Sequence, residues 1–365
     1  MSVASPEESG RAVRVAHGPL RELVAGLFAH AGMPDDDAAM AGRILVEADL
    51  RGVWSHGVAR VPMYLERLRR GVTKARPEIV VERVAPAAVL VDGDNGSGLV
   101  VAPRAMAEAI GLAKANGIGI AGVRRSNHFA TTAFYSQMAA DAGCIGLVFT
   151  NASPAMPPFG GSKPFFGTSP FGFAAPAPEG QTFTIDMAMS RIARGKLKFA
   201  AARGEAIPEG YALDAEGRPT RDGAAAFDGV MLPFGEHKGA ALSWMMDVMA
   251  GVATGAAWGG AVGNPFKGME RPADVGHVMI ALRADLFMPM QAFMERMGEL
   301  DRRAKAQPRA QGFDEILSPG EPEARKRAAN ADAGIALPPN VLADLKAEAD
   351  RASLSWPFPA GENTS

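Results

Sequence analysis

Three short segments place a histidine beside small or polar residues, and histidine is the side chain best suited to moving protons near neutral pH. They are WSHGVAR at 54–60, RSNHFATTAFY at 125–135 and LPFGEHKGAALSWM at 232–245. The chain has six histidines, and the other three are less promising. His17 and His30 lie in an amphipathic N-terminal region, so we interpret them as surface or packing residues. His277 opens a predicted strand, and we interpret it as structural.

In the first segment, Ser55 can cap a helix that carries His56 and Arg60 four residues apart on one face. A proton donor would then lie beside a guanidinium that can bind a carboxylate through two N–H groups. Pro62 would kink such a helix. A capped helix with a solvated histidine–arginine pair is the alternative, and the spacing alone leaves both interpretations open.

The other two segments could bind phosphate. His128 lies at a predicted strand-to-helix junction, where backbone amides and the hydroxyls of Thr131 and Thr132 could hold an anion. A neutral histidine that caps the helix is the alternative. His237 and Lys238 follow a glycine turn at a predicted helix start, although the spacing of a P-loop is absent. A surface helix cap is the alternative there.

Asp186 in TIDMAMS adds a carboxylate at the end of a predicted buried strand. Such a carboxylate often orients a histidine or serine, and a solvated strand-end aspartate is the alternative. None of the candidate sites has the spacing of metal ligands, so we expect no metal.

The segment GIGIAG at 117–122 matches the G-x-G-x-x-G pattern of dinucleotide-binding loops letter for letter. That pattern binds a cofactor when a strand precedes the glycines and a helix follows them. Here Met106, Ile110 and Ala113 recur at helical spacing before Gly117, and the residues after it have strand character. We therefore predict the end of a helix followed by a buried strand, and not a cofactor loop.

Composition limits the class of protein. With 365 residues, 47% of them hydrophobic, the chain can bury a large core in two or three lobes. A net charge of −2 and a pI near 6.3 give no electrostatic reason to expect nucleic acid or an anionic membrane as partner. The single cysteine, Cys144, excludes disulfides within the chain. No leader-like or membrane-spanning apolar run is present, so we expect a cytoplasmic protein.

The chain is predicted to fold as three parts, which together place the candidate residues. Residues 1–75 are predicted as a helical lobe, and 76–296 alternate strands and helices in a mixed α/β domain. Residues 297–365 are predicted as a helical C-terminal segment that packs back on the lobe.

Seven segments, in order between about residues 18 and 350, resemble the type-2 malate/L-lactate dehydrogenase family. They are DLRGVWSHGVARVPMYLERLRRG, SNHFATTAFYSQMAADAGCIGLVFTNA, MPPFGGSKPFFGTSPFGFAAP, TIDMAMSRIARGKL, IPEGYALDAEGRPT, LPFGEHKGAALSWMMDVMAG and GFDEILSPGEPE. The resemblance implies a homodimer that binds NAD or NADP on a fold unrelated to the Rossmann domain. It also implies a small carboxylate substrate, either a 2-oxo acid or a cyclic 2-imino acid.

The resemblance implies roles at matching positions. His56 is expected to donate a proton to the substrate, with Ser55 and Asp186 as its relay and Arg60 on the substrate carboxylate. Thr168 is expected to border the substrate pocket, and His128 is expected to serve either cofactor binding or proton transfer. The residues expected to line the cofactor are His128, Phe129, Ala130, Thr131, Thr132, Asn151, Asp186, Met187, Ala188, His237, Lys238, Gly320 and Glu321.

The chain departs from the family pattern in three places. Many members have GTNP where this chain has GTSP, so the amide contact expected at Ser169 is in question. After HKG the chain continues with residues 240–243, AALS, which is closer to the cyclic-imine reductases, and for such a reductase NADPH is slightly favoured. Residues 258–275 are expected to form a variable flap near the subunit interface. A non-catalytic binding protein on the same fold is the remote alternative.

Overall fold

The computed structural model describes residues 12–358, apart from the side chains of residues 198, 199 and 202. In chain order its strands and helices are β1 (Val13–Val15), α1 (His17–His30), α2 (Asp35–Leu50), α3 (Val61–Arg69), β2 (Val80–Ala85), β3 (Ala88–Asp92), α4 (Gly98–Asn116), β4 (Ile118–Ser126), α5 (Thr132–Asp141), β5 (Cys144–Thr150), β6 (Phe171–Pro176), β7 (Thr182–Met187), α6 (Arg194–Arg203), β8 (Ala212–Leu213), β9 (Pro219–Thr220), α7 (Gly223–Asp228), β10 (Val230–Met231), α8 (His237–Asp247), β11 (Val275–Arg283), α9 (Met290–Lys305), α10 (Glu321–Ala333), β12 (Ile335–Leu337) and α11 (Pro339–Arg351).

These elements form two compact units. Residues 12–76 and 322–358 make the first, and residues 77–321 make the second. Residues 297–321, which the sequence pattern grouped with the C-terminal segment, are therefore part of the second unit. No helix among residues 12–358 is long and apolar enough to cross a membrane.

The first unit is helical and is closed by its own C-terminal part. The buried face of α1 consists of the apolar residues that the helical period predicted: Leu20, Leu23, Val24, Leu27 and Phe28. β1 pairs with β12 in antiparallel register, with Val15 opposite Ile335. Arg69 of α3 donates two hydrogen bonds to the Glu348 carboxylate of α11, at 2.7 and 3.0 Å. The C-terminal elements of this unit thus pack against its N-terminal ones.

The second unit is built on a seven-stranded mixed sheet in the order β2-β3-β4-β11-β5-β6-β7. Only β3 and β4 are parallel, and every other neighbouring pair of strands in this sheet is antiparallel. Dinucleotide-binding folds of the Rossmann type have a mostly parallel sheet wound in both directions from a central crevice. The predicted mixed α/β fold of a non-Rossmann kind is therefore confirmed.

The segment GIGIAG is the junction between α4 and β4. Gly117 ends the helix with φ +87°, and the strand begins at Ile118. A Cβ atom on Gly119 would lie 2.0 Å from the Ala109 carbonyl oxygen and 2.6 Å from the Leu112 Cβ. Glycine is needed at 119 because α4 packs directly on the strand backbone. The prediction of a helix end and a buried strand is confirmed.

Candidate functional site

Ser55, His56 and Arg60 lie in the first unit, in the connection between α2 and α3. The predicted single helix is wrong, because residues Trp54–His56 and Val58–Arg60 form two separate 3₁₀ turns. Gly57 interrupts them with φ −92° and ψ −146°. Ser55 therefore caps no helix. His56 and Arg60 are brought together by their hydrogen bonds with Ser55 and not by helical spacing.

Ser55 contacts both of the other residues. Its hydroxyl is 2.9 Å from Nδ1 of His56, and its carbonyl oxygen accepts a hydrogen bond from Nε of Arg60 at 2.5 Å. The prediction of a kink at Pro62 is also wrong. This proline lies in the first turn of α3, where a backbone N–H has no partner within the helix and its absence therefore breaks no hydrogen bond. A histidine ring and a guanidinium are thus held by one residue.

Burial sets the charges of this group. Desolvation, reinforced by the nearby positive charge of Arg60, lowers the pKa of the half-buried His56 to about 4. The pKa of Arg60 is also lowered by burial, an effect opposed by Tyr64. An arginine remains cationic even so. At neutral pH the group consists of a neutral imidazole and a permanent cation.

The loop between β4 and α5 carries the next set of predicted residues. Nδ1 of the half-buried His128 accepts a hydrogen bond of 3.4 Å from the backbone of Ala130, whose φ is +66°. Phe129 is buried and stacks on Tyr135, with ring centroids 4.8 Å apart, and the Tyr135 hydroxyl donates to the Phe129 carbonyl at 2.6 Å. The loop therefore has a fixed shape with a strained backbone residue, a feature common at ligand sites.

Asp186 belongs to the same surface as this loop. Its Oδ2 accepts a hydrogen bond of 2.8 Å from the backbone of Ala133, in the first turn of α5. The prediction of a buried strand around Asp186 is wrong, because β7 is the edge strand of the sheet and both Asp186 and Met187 are exposed. The structure brings Asp186 and the end of the 128–132 loop together. Ala188 follows directly after β7 and is half-buried.

Asn151 and Thr168 are bound into the backbone of the second unit. The buried Asn151 side chain accepts from Gly276 at 3.0 Å and donates to Ala257 at 2.6 Å. The carbonyl of Thr168 accepts from the backbone of Met189 at 2.8 Å, and the Thr168 side chain is half-buried. The amide of Asn151 is therefore engaged in holding loops.

The remaining predicted residues lie at two helix starts. His237 begins α8 exposed, with Phe159 edge-on to its ring at 6.0 Å, and Lys238 is exposed as well. Gly320 has φ +85° and packs against Thr184 of β7, where a Cβ atom would lie 2.8 Å from the Thr184 Cβ. Glu321 accepts a hydrogen bond from Ser318 at 3.0 Å and pairs with Lys305 at 2.9 Å.

His277 is structural, as the sequence indicated, but its network was not predicted. The ring is fully buried and lies 2.8 Å from the Thr150 hydroxyl and 2.9 Å from the Ser126 hydroxyl. It also stacks on Phe129, with centroids 4.4 Å apart. Burial lowers the pKa of His277 to about 3, against a hydrogen bond with the Asn127 backbone. A neutral histidine thus packs against the 128–132 loop through Phe129.

Three polar groups of the second unit are available to a bound ligand. The hydroxyls of Thr132 and Ser169 are buried and have no hydrogen-bond partner among residues 12–358. Lys238 forms no ion pair with any residue in that described range, and a cation at a helix start suits a phosphate. No group of metal-ligating side chains is present within the described part of the chain.

Comparison with known proteins agrees with this arrangement. Residues 15–346 match the family model of malate/L-lactate dehydrogenase. An L-sulfolactate dehydrogenase of Methanocaldococcus jannaschii is 36% identical over 329 residues, which cover 89% of this chain and 93% of the relative. A ureidoglycolate dehydrogenase (NAD(+)) of Escherichia coli K12 is 32% identical over 337 residues, 92% of this chain and 96% of the relative.

A solved structure has the same fold. The Δ1-piperideine-2-carboxylate reductase of Pseudomonas syringae pvar. tomato superposes with a TM-score of 0.83 at 30% identity, covering 92% of this chain and 99% of the other. The match to the family model extends over nearly the whole chain and includes the candidate residues of both units. The chain therefore belongs to the malate/L-lactate dehydrogenase family.

Proposed function

We propose that the protein is an NAD(P)-dependent oxidoreductase that interconverts a 2-hydroxy acid and the corresponding 2-oxo acid. The observation that carries this proposal is the joint attachment of His56 and Arg60 to Ser55. A 2-hydroxy acid carries its hydroxyl and its carboxylate on adjacent carbons. A site for it therefore needs a proton-transferring imidazole beside a cation that binds the carboxylate. Membership of a family of dehydrogenases supports the same conclusion.

In the proposed oxidation, neutral His56 accepts the proton of the C2 hydroxyl. Because Nδ1 is hydrogen-bonded to Ser55, we assign the transfer to Nε2. In the reverse direction the same nitrogen returns the proton to the substrate, the role that the family resemblance implied. Asp186 stays a proposed member of the relay that supplies and removes this proton.

Arg60 is proposed to bind the substrate carboxylate. The bond from Nε to Ser55 fixes the plane of the guanidinium, so the direction in which it meets a carboxylate is also fixed. Substrate binding would in addition offset the positive charge that helps to lower the pKa of His56. The histidine therefore becomes a better base once the carboxylate is in place.

The second unit is proposed to hold the cofactor. When bound, the nicotinamide ring exchanges a hydride with C2 of the substrate. The loop 128–132 would shape one wall, residues 186–188 would run beside it, and His237 with Lys238 would contact the phosphates. Asn151 and Thr168 would border the site, and Gly320 with Glu321 would approach it along β7.

A cyclic 2-imino acid is the second candidate substrate. It is favoured by the residues after HKG and by the similarity to a solved Δ1-piperideine-2-carboxylate reductase. The non-catalytic binding protein is the remote alternative. Loss of nicotinamide absorbance should be followed with pyruvate, oxaloacetate, ketopantoate-like acids and Δ1-piperideine-2-carboxylate, each with NADH and NADPH.

Turnover of an oxo acid supports the main proposal, and turnover of the cyclic imine alone supports the second. The absence of both turnover and nicotinamide binding would support the alternative of a non-catalytic binding protein. We also propose that the protein is a homodimer, since the apolar stretch 152–175 includes Phe159, which is 64% exposed. A cytoplasmic location stays a proposal from the sequence.

A further inference from the structure

Asp49 is a buried carboxylate in the last turn of α2, and the candidate chemistry described above does not use it. Its side chain is 4% exposed, and Oδ2 accepts a hydrogen bond of 2.7 Å from the backbone of Val58. Among the described residues it forms no ion pair. Desolvation raises its pKa to about 8, although the bond from Val58 acts in the opposite direction.

The carboxylate occupies the space that a side chain at position 57 would fill. A Cβ atom on Gly57 would lie 2.1 to 2.2 Å from Cγ and both oxygens of Asp49. The φ of Gly57 is −92°, so its backbone has no need of the left-handed region. Glycine is required at 57 for space, which means that the Asp49 carboxylate touches the main chain between His56 and Val58.

This contact decides where the second 3₁₀ turn begins. Gly57 has no side chain to cap the turn Val58–Arg60, and Asp49 supplies the acceptor from another element. Asp49 is itself held in place, because Asn330 of α10 donates to the backbone carbonyl of Leu50 at 3.0 Å. The end of α2 is thus a fixed support beneath the segment.

The position of Asp49 requires two things of its side chain: an acceptor for the Val58 N–H, and a small planar group that packs on Gly57. The raised pKa leaves the group largely protonated at neutral pH, so it contributes this hydrogen bond and this contact and not a charge. Burying such a polar group is costly, and sequences accept such costs mainly at functional sites. We infer that Asp49 is a positioning residue, which sets the relative placement of His56 and Arg60 by contact with Gly57 and Val58; this role rests on the proposed function.

The test compares variants in steady-state kinetics with the full-length protein. Asp49→Ala removes the hydrogen bond, and Asp49→Glu keeps the carboxyl group but misplaces it against Gly57. Both should lower kcat/KM by about 10- to 100-fold, with kcat and KM both changed, because His56 and Arg60 move together. Asp49→Asn keeps the acceptor and should restore kcat/KM to within about threefold of the wild type.

Two further measurements separate positioning from general stability. Leu45→Ala, one turn earlier in α2 and fully buried, should lower the melting temperature without changing kcat/KM. The Kd of NADH or NADPH, followed by the fluorescence of the four tryptophans, should change less than twofold in every variant, since Asp49 and Leu45 belong to the first unit.

Wild-type kcat/KM in both Asp49→Ala and Asp49→Glu would overturn the inference, as would equal losses in Leu45→Ala. A loss in Asp49→Asn as large as in Asp49→Ala would also overturn it, because the hydrogen bond would then not matter. If Asp49→Ala does not fold, Asp49→Glu and Asp49→Asn make the comparison. A wild type without turnover on any tested acid would instead count against the proposed function.

Discussion

Replacing Arg60 with lysine should separate substrate binding from chemistry. A guanidinium presents five N–H donors in a planar fork, whereas an ammonium group makes point contacts. The bond from Nε to the Ser55 carbonyl, 2.5 Å long, holds that fork in one orientation, and lysine has no equivalent atom. One charge-assisted hydrogen bond to the substrate should be lost, worth about 1.5–3 kcal/mol.

Because that bond acts in the ground state and the transition state alike, the loss should appear in KM. The KM for the carboxylate should rise about 10- to 100-fold, with kcat within about threefold of the wild type. Initial rates at saturating cofactor measure both constants. Arg70→Lys, an exposed arginine paired with Glu66, is the matched control and should change neither. A fall in kcat with KM unchanged would refute the assignment of Arg60 to carboxylate binding.

Three other outcomes follow from the structure. Gly119→Ala should lower the melting temperature with cofactor Kd nearly unchanged, and a tenfold rise in Kd at constant melting temperature would restore GIGIAG as a cofactor loop. The kcat/KM for hydroxy-acid oxidation should rise with pH through about 4 and then level off, because His56 must be neutral, and an apparent pKa near 6.5 would contradict this. Between about pH 4 and 8 the folded state keeps a proton on Asp49 that the unfolded state has lost, so the free energy of unfolding falls as pH rises. In thermal melts, the melting temperature of Asp49→Asn should fall less with rising pH than that of the wild type. Identical pH slopes for the two proteins would exclude the raised pKa.

Local patterns predicted the parts of the fold that depend on neighbouring residues. The apolar period of α1 identified its buried face, and Gly117 identified the end of α4. The same reasoning rejected GIGIAG, because the order of helix and strand around it is visible in the sequence. Seven ordered segments were enough to identify the family, which the match over residues 15–346 confirms.

Contacts between distant residues could not be predicted in this way. Spacing suggested one helix over 54–60, but the carboxylate of Asp49 comes from another element and divides the segment at Gly57. The available signal for this contact was an aspartate on the apolar side of α2, and the sequence did not indicate which residue it contacts. The exposure of Asp186 likewise depends on β7 being the edge of the sheet, which is a property of the whole topology.

We propose that His56 moves the proton at the substrate while the second unit holds the cofactor. His56→Ala, assayed at saturating substrate and cofactor, measures this most directly. We expect kcat to fall by about 10²- to 10⁴-fold, the usual contribution of general acid–base catalysis, while the Kd of the nicotinamide cofactor stays within about twofold. A loss in kcat of less than tenfold would contradict the claim and make His128 the better candidate for the acid.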